Sequence, residues 1–186
     1  AKQIKTKKHF DSSCVLNINQ SCYQMKKKII FLSVFALLLI NRTIAQEIPT
    51  LNKEIVEYVE SVIGKKVDRG ECWDLANQAL IRVDADWDRQ YVYGNRIDHE
   101  KDKVYPGDLI QFKNVTVRYT EGNVTYTELM AHHTAIVYKV LGKGIFEIAH
   151  QNTEFSGRKV GLSELNTNHI IKGKVYFYRP TKELKK

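Results

Sequence analysis

The sequence predicts an α+β domain in which N-terminal helices pack on an antiparallel β-sheet. Apolar residues recur at helical spacing in two segments of the first half, 52–63 and 72–83. The second half instead contains short stretches, rich in β-branched and aromatic residues, that are bounded by glycine-containing turns. Helices that come first and strands that follow are typical of the α+β class.

The two helices have different boundary signals. The first is predicted over 52–63, where Ile55, Val59 and Val62 share one face and Gly64 provides a stop. The second begins at Cys72 and continues to residue 83. Its predicted core stripe consists of Trp73, Ala76, Ala79, Leu80 and Val83. Cys72 is therefore predicted to lie at the N-terminal end of an amphipathic helix.

The strands are predicted from alternation and from turn residues. Residues 84–105 are expected to be irregular, and Pro106-Gly107 forms a turn before the sheet. Two hairpins are expected, one around 121–123 and one around 142–144. Strands are predicted at 108–112, 115–119, 124–127, 133–140, 145–149 and 173–178.

The segment 25–45 predicts a secretory signal peptide. Met25 is followed by three lysines and a twelve-residue apolar run at 29–40, and the small residues Thr43 and Ala45 then suit a signal peptidase. Twelve helical residues rise about 18 Å, less than the ~30 Å hydrocarbon layer, so no stable membrane anchor is predicted. We expect a secreted or periplasmic protein.

The remaining residues divide into two parts. Residues 1–24 are interpreted as an upstream extension that is not part of the fold, and 46–186 as a single domain. The chain has 29 basic and 21 acidic residues, but residues 1–45 hold eight of the basic residues and one of the acidic ones. The domain is therefore nearly neutral and lacks the basic excess that phosphate binding requires, so no nucleic-acid partner is predicted.

Cys72 is the single cysteine of the predicted mature domain, because Cys14 and Cys22 precede it. A lone cysteine in an exported domain is an inert buried residue, an intermolecular bridge or a reactive thiol. At the start of a helix, unpaired N–H groups and the helix dipole favour the thiolate. This position predicts a reactive nucleophile whose pKa lies below the ordinary value for a thiol.

A nucleophilic thiol needs a base, and the base needs a group that orients it. His133 opens a predicted strand and His150 ends the next one, so the short turn between these strands would bring the two side by side. The adjacent His132 points to the opposite face, because neighbouring strand residues alternate. Asn152 would share the face of His150 if that strand continued, and it is the alternative orienting residue.

Four segments together resemble the papain-like cysteine hydrolases of the CHAP and NlpC/P60 type. They are GECWDLA at 70–76, PGDLIQF at 106–112, HTAIV at 133–137 and HQN at 150–152. The resemblance covers roughly residues 52–180. It implies the papain-like (NlpC/P60-CHAP) fold, with a nucleophilic cysteine at the start of a helix and a histidine base on a strand of the sheet.

This resemblance also implies roles for individual residues. Cys72 would be the nucleophile, His133 the general base and then the general acid, and His150, or alternatively Asn152, the orienting residue. The implied reaction is acyl transfer through a thioester, with a peptidoglycan or peptide substrate. Two rivals stay open, namely a peptidase or transacylase that acts on another amide and an inactive papain-like binding module. A protein partner such as an inhibitor also stays open.

No metal and no cofactor are predicted. Residues 84–88 resemble the start of a calcium loop, but Arg89 replaces the glycine at position six and Asn95 replaces the glutamate at position twelve. The cysteine and the two histidines could be read as zinc ligands, but none of them belongs to a closely spaced ligand pair.

Overall fold

A computed structural model describes residues 47–184 of the chain. The signal peptide predicted at 25–45 and the extension predicted at 1–24 lie outside the described residues and stay predictions. Within 47–184 the chain forms two α-helices, α1 over Thr50–Val62 and α2 over Cys72–Arg82. Both helices lie where the apolar spacing predicts them, and no helix of this part of the chain is long and apolar enough to span a membrane.

In the described part of the chain, six strands follow the helices and form one sheet. They pair in the order β1-β6-β2-β3-β4-β5, and every pair is antiparallel. The predicted α+β class with an antiparallel sheet is thereby confirmed. The strands are β1 (Asn95–Ile97), β2 (Leu109–Glu121), β3 (Val124–Gly142), β4 (Ile145–His150), β5 (Gly161–Asn166) and β6 (Ile170–Arg179), with a short 3-10 helix at Thr167–His169.

Two predicted interruptions of the sheet are wrong. The strands predicted at 108–112 and 115–119 are one strand, β2, in which Asn114 has a positive φ of 53°. The pairing of β2 with β6 shifts register between Lys113 and Thr116, so this position is a bulge and not a strand end. The strands predicted at 124–127 and 133–140 are likewise joined within β3.

Each face of the sheet has its own apolar cluster. On one side, which we call the helix face, Leu109, Ile136, Ala149 and Tyr178 pack with the buried residues of α1 and α2. On the other side, Phe146 of β4 and Phe177 of β6 have ring centroids 5.4 Å apart, although two strands lie between them. In a flat sheet they would be about 14 Å apart, at ~4.8 Å per strand. The sheet therefore curls around this second cluster, which we call the barrel interior.

The turn before β2 attaches α1 to the sheet through a buried carboxylate. Asp108 is fully buried and accepts hydrogen bonds from Asn52 Nδ2 at 2.8 Å, from the Tyr105 N–H at 2.8 Å and from Arg179. Burial raises the pKa of Asp108, while Arg179 and the other donors oppose that rise. Gly107 has a φ of +86°, and a Cβ there would lie 2.3 Å from the Asn52 carbonyl oxygen. Glycine at position 107 is therefore required for this close contact.

Candidate active site

Cys72 is the first residue of α2 and is half-buried. The residue before it, Glu71, donates its N–H to Asp74 Oδ2 at 3.0 Å, and the fully buried Asp74 also pairs with Arg69. This arrangement satisfies a free N–H of the helix start and fixes the turn that carries the thiol. The predicted position of Cys72 at the start of a helix is confirmed.

The sulfur of Cys72 lies against the edge of β3. Pairing of β3 with β4 ends at Ile136–Ala149, and the Val137 N–H donates toward β2, to the Asp108 carbonyl at 2.8 Å. Because N–H directions alternate along a strand, the Thr134 N–H points away from β2, to the side where β4 has ended. A hydrogen-bonding contribution from that N–H lowers the pKa of Cys72, which places the thiol on this side of the strand. The thiol therefore sits beside the residue that directly follows His133.

Burial determines the charge state of the thiol. It raises the pKa of Cys72 above its ordinary value, and the neighbouring Glu71 carboxylate adds to the rise. Hydrogen bonds from the N–H groups of Thr134, Trp73 and Cys72 itself lower the pKa but do not overcome burial. The helix position alone predicts a shift in the opposite direction, and the structure corrects that expectation because desolvation outweighs the helix end. The thiol is protonated at neutral pH.

The structure brings His133 and His150 together. Nε2 of His133 lies 2.9 Å from Nδ1 of His150, and the two rings meet edge-to-face. Burial lowers the pKa of His133 to about 4. Burial, with a contribution from the facing His133, lowers the pKa of His150 to about 3. Both imidazoles are therefore neutral at pH 7. One of the two facing nitrogens donates the hydrogen bond and the other accepts it.

His132 and His133 occupy opposite sides of β3, as strand alternation predicts. The His132 ring is exposed and lies 4.2 Å from the Tyr91 ring, centroid to centroid. Its alternate neighbours, Thr134 and Ile136, are on the helix face, whereas His133 has the orientation of the barrel interior and contacts Phe112. Within residues 47–184 no hydrogen bond joins the Cys72 sulfur to either ring. The choice between His132 and His133 as the base thus stays a prediction.

Asn152 does not reach the histidine pair. β4 ends at His150, and Asn152 follows with a positive φ of 63° and an exposed side chain. Its Nδ2 donates to Glu71 Oε2 at 2.7 Å. The strand therefore does not continue as the alternative role for Asn152 requires, and this side chain contacts the segment that precedes the thiol.

Two residues that the sequence analysis did not select complete the surroundings. Gln151 is fully buried, and its Nε2 donates to the carbonyl oxygens of Val67 at 3.0 Å and Glu71 at 2.7 Å. Gln151, which directly follows His150, thereby bonds to the backbone of Glu71, which directly precedes Cys72. Ser163 Oγ lies 2.9 Å from Nε2 of His150. Gln151 lies within the quoted HQN segment, but no motif indicates Ser163.

A buried polar network supports the strand beside the thiol. Gln111 Oε1 accepts from Thr134 Oγ1 at 2.9 Å and from the Tyr93 hydroxyl at 3.1 Å. The Tyr93 hydroxyl and Thr134 Oγ1 are themselves 2.8 Å apart. Because these hydroxyl and amide groups satisfy one another, the backbone of Thr134 is held in place on the helix face.

Among the described residues, no group of three or more His, Cys, Asp or Glu side chains is arranged to hold a metal ion. The three residues considered as zinc ligands instead use their polar atoms on one another, on Ser163 and on backbone N–H groups. The acidic residues at 84–88 do not form a group arranged to hold a metal ion either.

The lowered histidine pKa values predict acid-sensitive stability. An unfolded histidine binds a proton near its ordinary pKa, whereas folded His150 stays neutral down to about 3. The unfolded state therefore binds more protons as the pH falls below the ordinary value, and the free energy of unfolding falls in that window. We expect a loss on the order of 2 kcal/mol between pH 7.5 and pH 5 for one such histidine, measured by urea unfolding.

The control for this measurement is the exposed His132. A His150→Gln variant should lose about half of the dependence on pH in this range, because His133 contributes a similar share, and a His132→Gln variant should keep all of it. Stability of the unmodified protein that does not change between pH 7.5 and pH 5 would contradict the neutral, buried state of the pair.

Comparison with known proteins gives a matching family model, and solved structures match as well. The family model of the AIM3/BBC1 cysteine proteinase-fold domain matches residues 42–184. The crystal structure of Ly7917 is similar to this chain with 17% identity and a TM-score of 0.42, over 70% of this chain and 62% of that one. This chain thus spans less than two thirds of that structure. No curated protein matches the chain.

Proposed function

Because the chain belongs to the AIM3/BBC1 cysteine proteinase-fold domain family, we propose that it is a cysteine hydrolase that cleaves amide bonds by acyl transfer. One observation carries the proposal. Cys72, the first residue of α2, lies beside Thr134, whose N–H lowers the pKa of the thiol, and Thr134 directly follows His133, whose Nε2 lies 2.9 Å from His150 Nδ1. A helix-start thiol, a strand histidine and a second ring on the next strand supply a nucleophile, a base and an orienting group.

Cys72 acts as the nucleophile, and His133 carries protons in both half-reactions. Nε2 of His133 faces Nδ1 of His150, so Nδ1 of His133 is the nitrogen that can interact with the thiol. The S–H proton of Cys72 passes to Nδ1 as the sulfur forms a bond to the amide carbonyl carbon. The protonated His133 then gives this proton to the leaving amine, and the C–N bond breaks. Water, deprotonated by His133, then hydrolyses the thioester, and the thiol of Cys72 is regenerated.

The neutral resting pair determines how the nucleophile is activated. Burial raises the pKa of Cys72 and lowers that of His133 to about 4, so the thiol and the imidazole are both uncharged before substrate binds. Proton transfer then accompanies attack on the carbonyl. The N–H groups of Thr134, Trp73 and Cys72 stabilise the negative charge that develops on the sulfur.

We further propose that the substrate is peptidoglycan, cleaved within the stem peptide or at its amide bond to the sugar. The signal-peptide pattern at 25–45 supports a secreted or periplasmic site of action. The likeness of four segments to the CHAP and NlpC/P60 hydrolases supports a cell-wall amide over a soluble peptide. The half-exposed aromatic Phe155, whose ring centroid is 5.4 Å from that of His150, offers an apolar contact beside the site.

A second candidate function is an inactive papain-like binding module. The observation that favours it is the raised pKa of the Cys72 thiol, together with the engagement of both nitrogens of His150 by other side chains. A module of this kind would bind a peptide or wall fragment at the same surface and leave it intact.

Digestion of purified peptidoglycan separates these possibilities. We expect the full-length protein to release muropeptides with a new amine terminus, identified by mass spectrometry, and the Cys72→Ala variant to release none. Cleavage of a soluble peptide library in place of peptidoglycan would keep the hydrolase and change its substrate. Binding of the wall with no cleavage by either protein would favour the binding module.

A further inference from the structure

Ser163 extends the row of side chains that begins at His133. Its Oγ lies 2.9 Å from His150 Nε2, and His150 Nδ1 lies 2.9 Å from His133 Nε2. In the sheet Ser163 pairs with Ile148, whose side chain is in the barrel interior, and His150 lies two residues further along the same strand. Alternation thus places Ser163 and His150 on the same side of the sheet. Both nitrogens of His150 are therefore occupied by protein groups.

Two proton arrangements fit this row, because each neutral imidazole carries one N–H. In the first, His150 Nε2–H donates to Ser163 Oγ, and His150 Nδ1 accepts from His133 Nε2–H. His133 Nδ1 is then unprotonated and can take a proton. In the second, the Ser163 hydroxyl donates to His150 Nε2, and His150 Nδ1–H donates to His133 Nε2. His133 Nδ1 then carries a proton and cannot act as a base.

We propose that Ser163 is a positioning residue that holds His150 in the Nε2–H tautomer and thereby leaves Nδ1 of His133 free to accept the thiol proton. The role in turnover rests on the proposed function, whereas the tautomer is a property of the protein alone. Ser163 acts through His150 and does not contact the thiol or the substrate.

The charge that forms during the reaction favours this arrangement. When His133 has taken the thiol proton, both of its nitrogens carry hydrogens, and Nε2–H must find an acceptor. His150 Nδ1 is that acceptor only when the proton of His150 is on Nε2. The buried Nε2–H then needs its own acceptor, since an unsatisfied buried donor is destabilising, and Ser163 Oγ is the group within 2.9 Å. The other tautomer would place two N–H groups against each other.

Nitrogen NMR of the full-length protein tests the tautomer directly. With ¹⁵N-labelled histidine, and with His150→Gln used to assign the His150 signals, we expect His150 to be protonated at Nε2 and not at Nδ1. The Ser163→Ala variant should shift His150 toward the Nδ1–H form or a mixture, and Ser163→Thr should restore Nε2–H. A wild-type His150 protonated at Nδ1 would overturn the proposal, and this result does not depend on whether Ser163→Ala folds.

Kinetics test the consequence for the reaction. Ser163→Ala should lower kcat by roughly tenfold to a hundredfold with little change in KM, because substrate binding does not involve the hydroxyl. Ser163→Thr should recover most of kcat. Ser156→Ala is the matched control, since Ser156 bonds to Thr153 and to the Lys159 carbonyl and lies outside the row. A kcat that is the same for Ser163→Ala and Ser156→Ala would overturn the role of Ser163 in turnover.

The two measurements separate the proposals. Absence of wild-type turnover on every substrate, with His150 protonated at Nε2, would contradict the proposed function and support the tautomer assignment. Turnover by the wild-type protein with His150 protonated at Nδ1 would support the proposed function and contradict the tautomer assignment.

Discussion

Replacing Cys72 by serine is expected to lower turnover by about 10⁴-fold or more, because an alcohol is a far weaker nucleophile than a thiol when its partner base is a neutral imidazole. The substitution changes one atom at a half-buried site, so the free energy of unfolding should change by less than about 1 kcal/mol. Initial rates on one amide substrate and urea unfolding curves measure the two quantities separately.

Ser156→Ala serves as the control, because Ser156 bonds to Thr153 and to the Lys159 carbonyl and not to the candidate site residues. It should leave the rate unchanged. Full turnover by Cys72→Ser would contradict the assignment of the nucleophile. If Cys72→Ser loses turnover because it unfolds, Cys72→Ala tests the assignment instead, since alanine places no polar atom at this position.

Replacing His133 by alanine is expected to lower the acylation rate by roughly 10²–10⁴-fold, the contribution of a positioned general base. The same change at His132 should mainly alter substrate affinity or stability, by about 1 kcal/mol. His150→Ala should give an intermediate loss, because an orienting ring fixes the tautomer of the base but does not itself accept the thiol proton. Single-turnover rates on one substrate, with circular dichroism of each variant, provide the comparison.

His132 is a suitable control because it is the neighbouring residue, of the same type, on the other side of the strand. Its ring is exposed against Tyr91, so its removal leaves no buried polar group unpaired. If His132→Ala is the inactive variant and His133→Ala retains normal rates, the base acts from the helix face, and the assignment of His133 and His150 fails together.

Much of the fold follows from local sequence patterns. The helical spacing at Cys72–Arg82 and the turn glycines at 122, 142 and 144 are short-range signals, and the structure has a helix and two hairpins at these positions. The single long strand β2 could not be predicted, because Asn114 looks like a break in the sequence and is a bulge within the sheet. Strand β5 has weak alternation, and it is held by pairing with β4.

The residues of the candidate site likewise divide into those that the sequence indicates and those that only the fold brings together. Cys72, His133 and His150 are visible in the sequence because their chemistry is rare; Cys72 and His150 also lie at element boundaries, whereas His133 lies within β3. Ser163 becomes visible only through the register of β4 against β5, which places its hydroxyl on His150. The direction of the Cys72 pKa shift also depends on burial by distant segments, which the helix-start pattern does not contain.

The most direct test is detection of an acyl-enzyme on Cys72. The full-length protein would be mixed with a short N-acetylated peptide p-nitrophenyl ester, quenched in acid and digested with trypsin before mass spectrometry. We predict that the acyl mass is added to the tryptic peptide 70–82, which contains Cys72, and that Cys72→Ala shows no such adduct. Release of p-nitrophenol with no adduct on this peptide, or no release at all, would contradict a catalytic Cys72.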